Sequence, residues 1–392
     1  MPRISGQSDT VVFIFSLIAL CPLAERLGFV TEQLSSYTND TVGGLLNATF
    51  GNATELIVSL VAINAGLLRV VQLSLLGSIL SNILLVLGSA FLAGGLKYKG
   101  QTYKVDAGTT NVGLLLVSVL ATITCTVIDA SGTETSAAAS LAFSRGAAVV
   151  LLALYLAFLL FQLKTHAHLF ADDEEVAGEG EGIQLVASEG EPLPDAAVQA
   201  EEEKEDEDEV VLSFRSSIVW LTAITVLIAV LSEWIVNAIE GFARGAGIPL
   251  TFISAILLPI VGNAAEHASA LIFARKNRMD LALGIAVGSS TQIAVGVWPL
   301  CIIVAAIWGK PLSMDLQPFE AAAFLVCVLL LWQAIADGRS HWLKGAALIG
   351  AYVIFSIGFS EKIDLALINE DKLTVHHPPP SAYSPPPPTG HR

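Results

Sequence analysis

Runs of roughly 20 apolar residues restrict this chain more than any other feature, because about that length is needed for one helical crossing of a hydrocarbon core. Ten can be read off, at about 11–30, 43–68, 70–96, 109–129, 143–163, 216–237, 250–274, 281–307, 318–336 and 342–360. They predict helices, since the open edge of a sheet cannot be satisfied in lipid. The expectation is an all-α integral membrane protein with the lipid bilayer as its solvent. Composition points the same way: 54% of the residues are hydrophobic and 14% charged, outside the range of soluble domains.

The net charge of −16 is local. Residues 172–209 hold 17 of the 36 acidic residues against one base, Lys204, and the rest of the chain balances at 19 acids and 19 bases. No global acidity therefore asks for a basic partner, and nothing suggests nucleic-acid binding. Cys21, Cys125, Cys301 and Cys327 all fall in apolar runs without metal-ligand spacing. They read as small buried hydrophobes rather than disulfides.

Two of the apolar runs carry the same motif. Gly51-Asn52-Ala53-Thr54-Glu55 and Gly262-Asn263-Ala264-Ala265-Glu266 stand 211 residues apart, and the same offset pairs Gly77-Ser78 with Gly288-Ser289. The chain thus contains one unit twice. The first run follows Arg3 as a signal peptide would, but it reads as a span, because it supplies the fifth helix of the first half. Five helices per half is an odd number, so the second unit must enter the membrane from the opposite side. The predicted fold is ten transmembrane helices as two inverted five-helix repeats, a plan typical of secondary transporters with a site near the midplane. The segments are then a tail at 1–10, a first repeat at 11–164, an acidic loop at 165–213, a second repeat at 214–360 and a Pro/His-rich tail at 361–392. One set of loops carries eleven Lys and Arg near the spans, among them Lys97, Lys164, Arg275 and Lys344, and the opposite set carries six. This bias puts the acidic loop in the cytosol and both termini on the other side.

Glu55 and Glu266 sit near the middle of their spans, with no basic residue at i±3 or i±4. An ionised carboxylate there costs at least about 2.5–3.5 kcal/mol unless it is paired or faces a cavity. Two such groups meeting at a pseudo-two-fold axis make a site for a hard divalent cation or for protons. The plainer alternative is a protonated Glu hydrogen-bonded inside the bundle, and duplication of the carboxylate argues against it. Asn52 and Asn263 stand three residues before each Glu, on the same helical face, and their oxygens suit a hard cation. Backbone carbonyls would join them if the Gly-Asn step loosens the helix. The next helix of each half supplies Ser78, Ser81 and Asn82, or Ser289, Ser290, Thr291 and Gln292, which can complete an ion site or simply join helices by hydrogen bonds. Gln292 aligns with Ser81, so the halves are not chemically equal. His267 can relay protons beside Glu266, or be a hydrogen-bonded buried histidine.

At these residues the sequence resembles the vacuolar-type Ca2+/H+ antiporter family of cation/proton exchangers. The likeness is carried by Gly51–Leu96 and by Pro259–Leu312, and extends over roughly 11–360. It implies the inverted fold, a location in the vacuolar membrane, and export of cytosolic Ca2+, and of other divalent ions such as Mn2+, into an acidic store against H+. It also implies that Glu55 and Glu266 are shared Ca2+ and proton sites, helped by Asn52, Asn263, Ser289 and Gln292. Such a protein is no enzyme and needs no cofactor beyond its transported ions. Many vacuolar members begin with an additional helix for which this sequence has no matching run. Na+/Ca2+ exchangers share the architecture but usually place Pro just before the acid, where Thr54 and Ala265 stand here. A cation channel would also want a carboxylate pair, but the repeated unit favours a transporter.

Overall fold

The computed structural model describes residues 8–130, 137–170 and 211–361. Apart from one two-residue strand pair, its regular structure is helical. In chain order the long elements are α1 (Asp9–Ser35), α2 (Asp40–Phe50), α3 (Ala53–Ala65), α4 (Leu68–Lys97), α5 (Val105–Ala130), α6 (Ala138–Thr165), α7 (Phe214–Ala246), α8 (Leu250–Gly262), α9 (Ala264–Arg275), α10 (Met279–Ile307), α11 (Pro318–Ile335) and α12 (Trp342–Ser360). Among the described residues, eight helices are long and apolar enough to cross a membrane, and two bent pairs raise the number to ten.

The bent pairs are α2–α3 and α8–α9, turning by 45° and 53°. These are the runs predicted at 43–68 and 250–274, and each breaks at its Gly-Asn step. Glycine is a poor helix former, and asparagine competes with the helix for its own backbone groups. Asn52, at φ −114° and ψ 22°, and Asn263, at φ −89° and ψ 19°, both leave helical geometry. Two further irregularities end 211 residues apart. α4 widens to i→i+5 bonding at Ser81–Val86, and α10 does so at Ile293–Val297. Such wide turns concentrate at functional sites.

Burial orders the helices. The most apolar window of α4 is 94% buried and that of α10 is 61%, against 22–28% for α1, α6, α7 and α12. α4 and α10 therefore form the centre, and α1 packs along α7 outside them. The four cysteines are free, and Cys125, Cys301 and Cys327 are buried, as their apolar surroundings predict. Several ends are fixed by side chains. Gln317 and Glu320 form a reciprocal cap on α11, satisfying donors that the first turn leaves unpaired. The strands β1 (Gln101–Thr102) and β2 (Arg339–Ser340) pair antiparallel and tie the α4–α5 connection to the α11–α12 turn. Most of the predicted acidic loop, at 171–210, and the tail at 362–392 lie outside the described residues. The loop's far end is held on α1, where Gln33 Oε1 accepts from the backbone of Val211 and Leu212, and Tyr37 donates to the Leu212 carbonyl.

Candidate cation-binding site

Each break converts one membrane span into two half-helices meeting near the middle of the protein. α3 starts immediately after Asn52 and α9 immediately after Asn263, so Glu55 and Glu266 are the third residues of new helices. Sequence spacing placed both acids mid-span; the structure adds that each sits in a first helical turn. Unpaired N–H groups and the helix dipole favour a carboxylate there. The preceding half-helix ends at the same point, so a single backbone device, used twice, sets each carboxylate at a helix junction.

Glu55 is 8% exposed. Its Oε1 faces the backbone of Gly262, 3.3 Å from where a β-carbon would stand. The carboxylate lines a small cavity with Thr54, Ser74, Ser78, Pro259 and Gly262. Glu266 is near enough for the two charges to act on each other. Among the described residues, Glu55 Oε1, Glu266 Oε2 and Asn263 Oδ1 are buried without a hydrogen-bond partner. Buried polar atoms are normally satisfied, so three such oxygens around one level call for a ligand. Among the described residues no three His, Cys, Asp or Glu side chains cluster in a metal-binding arrangement. A cation here would draw its remaining oxygens from amides, hydroxyls and backbone, as Ca2+ readily does.

Both asparagines reach across to the opposite half. Asn52 Nδ2 donates to Gln292 Oε1 at 2.6 Å, and Ser289 Oγ donates to Asn52 Oδ1 at 2.8 Å. Asn263 Nδ2 donates to the Ser78 carbonyl at 3.1 Å. The structure therefore brings Asn52, Ser289 and Gln292 into one chain, and seats Asn263 on the helix that carries Ser78. Ser290 and Thr291 instead bond back to their own helix, to the carbonyls of Ala286 and Val287, and are turned to packing. His267 is half-buried beside Glu266 in sequence. Ser74, on the face of α4 toward Glu55, was not singled out by sequence; it lies one turn before Ser78, and that spacing was the available signal.

A further buried acid was also missed. Glu320 is fully buried at the start of α11, where Arg69 pairs with its Oε1 and the Gln317 amide donates to its Oε2 at 3.0 Å. Gln72 adds bonds to the Ser313 and Asp315 carbonyls, so the start of α4 is clamped to the α10–α11 connection. Unlike Glu55 and Glu266, this acid has its counter-charge.

Two spans broken at matching Gly-Asn steps, each followed by a carboxylate in a first helical turn, define an integral membrane protein built on a repeated broken helix. The chain matches the family described as sodium/calcium exchanger protein over residues 8–164 and 216–360, and it belongs to that family of membrane transporters. Among its relatives, a vacuolar cation/proton exchanger 3 from Oryza sativa subsp. japonica is 43% identical over 357 residues, covering 90% of this chain and 81% of the relative. The solved structure of native YfkE superposes with a TM-score of 0.71 at 34% identity, covering 90% of this chain and 92% of that one. A selenium-substituted form, described as a Ca2+/H+ antiporter protein, gives 0.69 at 35% identity, over 90% and 93%.

Proposed function

We propose that the protein is a secondary antiporter that moves cytosolic Ca2+, and other divalent cations such as Mn2+, into an acidic store in exchange for H+. The observation that carries this reading is the pair of carboxylates, Glu55 and Glu266, set at two matching helix breaks, each with one buried oxygen that no described residue partners. Relatives named vacuolar cation/proton exchangers and a neighbour described as a Ca2+/H+ antiporter support the choice of ions and the vacuolar membrane. The architecture proposed is ten spans in two inverted five-helix repeats, with α2–α3 and α8–α9 each counted as one. The repeated breaks and repeated wide turns, both at the 211-residue offset, support it.

In this mechanism the site is loaded either with Ca2+ or with protons. Ca2+ from the cytosol displaces protons from Glu55 and Glu266, the halves rock, and protons from the acidic side displace Ca2+. Asn52, Asn263, Ser289 and Gln292 supply or orient neutral oxygens in this reading, and His267 is assigned the relay of protons to Glu266. Coupling requires that the emptied, unprotonated site does not cross, because two unpaired charges at the midplane are costly.

The test is Ca2+ uptake into vesicles holding the full chain, driven first by an imposed proton gradient and then by a Na+ gradient. Proton-driven uptake that is lost in Glu55→Gln and in Glu266→Gln is expected, since an amide keeps the shape but neither charge nor proton. Uptake driven by Na+ alone would establish Na+/Ca2+ exchange instead. Substantial proton-driven uptake by both single variants would remove these residues from the site.

A further inference from the structure

The 211-residue offset allows a contact in one half to be checked against its counterpart in the other. Gly77 of α4 is a point of close approach to α8. A methyl group there would collide with the Ala255 carbonyl and come within 2.6 Å of Pro259 Cγ. α4 and α8 are pressed together at this level, beside the small cavity that Glu55 lines. At the same offset, Gly77 corresponds to Gly288 in α10, while Ala255 and Pro259 correspond to Gly44 and Ala48 in α2.

That second contact is not made. Among the described residues nothing lies within 4 Å of where a β-carbon of Gly288 would stand, and the same holds at Gly284, one turn earlier and exposed. The face of Gly44 is instead taken by Leu163, from the wide last turn of α6. Its Cδ2 lies where a methyl group on Gly44 would be. α2 thus rests on α1 and on the end of α6. The turn carrying Leu163 is itself held by a cluster of rings. Phe161 stacks on His166 at 4.1 Å, and Phe170 meets Phe158 and Phe161 edge-on.

We propose that Leu163 is a wedge that holds the cytosolic half of the transporter open, and that closure docks Gly288 of α10 onto the Gly44–Ala48 face of α2 once Leu163 has left it. This rests on the antiporter reading and on its inverted repeats. α2 leads into Asn52 and α10 into Ser289 and Gln292, so bringing these two helices together seals the approach to the carboxylates from that side. Docking at Gly288 copies the contact already formed at Gly77, where no side chain larger than hydrogen fits. The role of glycine at 288 is therefore invisible in the open state, where no described residue fills the place of its side chain.

The experiment uses the full chain with Gly284→Cys as a reporter, labelled from the cytosolic side by a membrane-impermeant maleimide, with the unsubstituted protein as background. Leu163→Ala is expected to slow labelling by about threefold or more, as the open population falls. Leu163→Met, which keeps the bulk, retains the wild-type rate. Adding Gly288→Val to Leu163→Ala restores fast labelling, because the added side chain prevents closure. Alone, Gly288→Val keeps Ca2+ binding in detergent within about threefold of wild type but cuts proton-driven uptake by about tenfold or more. A labelling rate indifferent to Leu163→Ala overturns the wedge, and near-normal uptake by Gly288→Val overturns the docking. Labelling needs no transport assay, so absence of proton-driven uptake in the wild type would sink the antiporter reading while the wedge is still decided by labelling.

Discussion

Protonation of Glu55 or Glu266 should weaken Ca2+ binding by an amount set by the number of carboxylates in the site. The proposed site has two, each with a buried oxygen that lacks a partner among the described residues, and the other proposed ligands are amides and hydroxyls that do not titrate. Each proton that must leave before Ca2+ binds makes the affinity change by up to about tenfold per pH unit, so two carboxylates allow about a hundredfold per unit. The sign follows from charge: as the pH on the binding face falls, protons occupy the oxygens and Ca2+ affinity falls. Glu55→Gln or Glu266→Gln removes one titrating group, so any remaining dependence is at most about tenfold per unit. The assay is the Ca2+ dissociation constant of purified protein between about pH 5 and 8, the range reached by strongly perturbed carboxylates. Wild-type affinity that stayed flat across that range would refute the shared site, whatever the transport data showed.

Three other outcomes are expected. Removing Arg69 strands a fully buried Glu320, so Arg69→Ala should destabilise the purified protein by about 2–4 kcal/mol, the usual cost of breaking a buried pair reduced for the partial exposure of the arginine; Glu320→Gln should cost less in the same denaturation assay, and the reverse order would contradict the pairing. Burial, with Asp129 nearby, holds the Asp315 carboxyl above its ordinary value, so the folded state opposes its ionisation and loses stability as pH rises; Asp315→Asn should raise the melting temperature at neutral pH and leave it unchanged in acid, and an unchanged neutral melting temperature would count against this. Deleting 172–209 should leave proton-driven uptake measurable while changing its rate or calcium dependence; if it changes neither, the segment is a solvated linker.

Much of the architecture was legible in the sequence because the bilayer imposes one simple demand. A span must be long, apolar and internally hydrogen-bonded, and ten runs meet that demand by counting alone. The duplicated Gly-Asn-x-x-Glu motif was equally legible, since an acid in a lipid-spanning segment needs a reason and a repeated one needs a shared reason. The Gly-Asn step even announced where the helix would weaken. Sequence could not say how far it bends, because that depends on what the two half-helices meet. Nor could it show that Asn52 reaches Ser289 and Gln292 while Ser290 and Thr291 turn back on their own helix. Those four polar residues look alike in a string of letters, and only the rotation of α10 against α3 separates them. Glu320 went unnoticed because its counter-charge, Arg69, is 251 residues away. The two glycines at 77 and 288 make the division plainest. They are the same residue at matching positions of one repeat, yet one is clamped and the other faces open space. Internal repetition in a sequence is symmetric, whereas the packing of the two copies is not, and only the packed structure can show which of the two glycines is clamped.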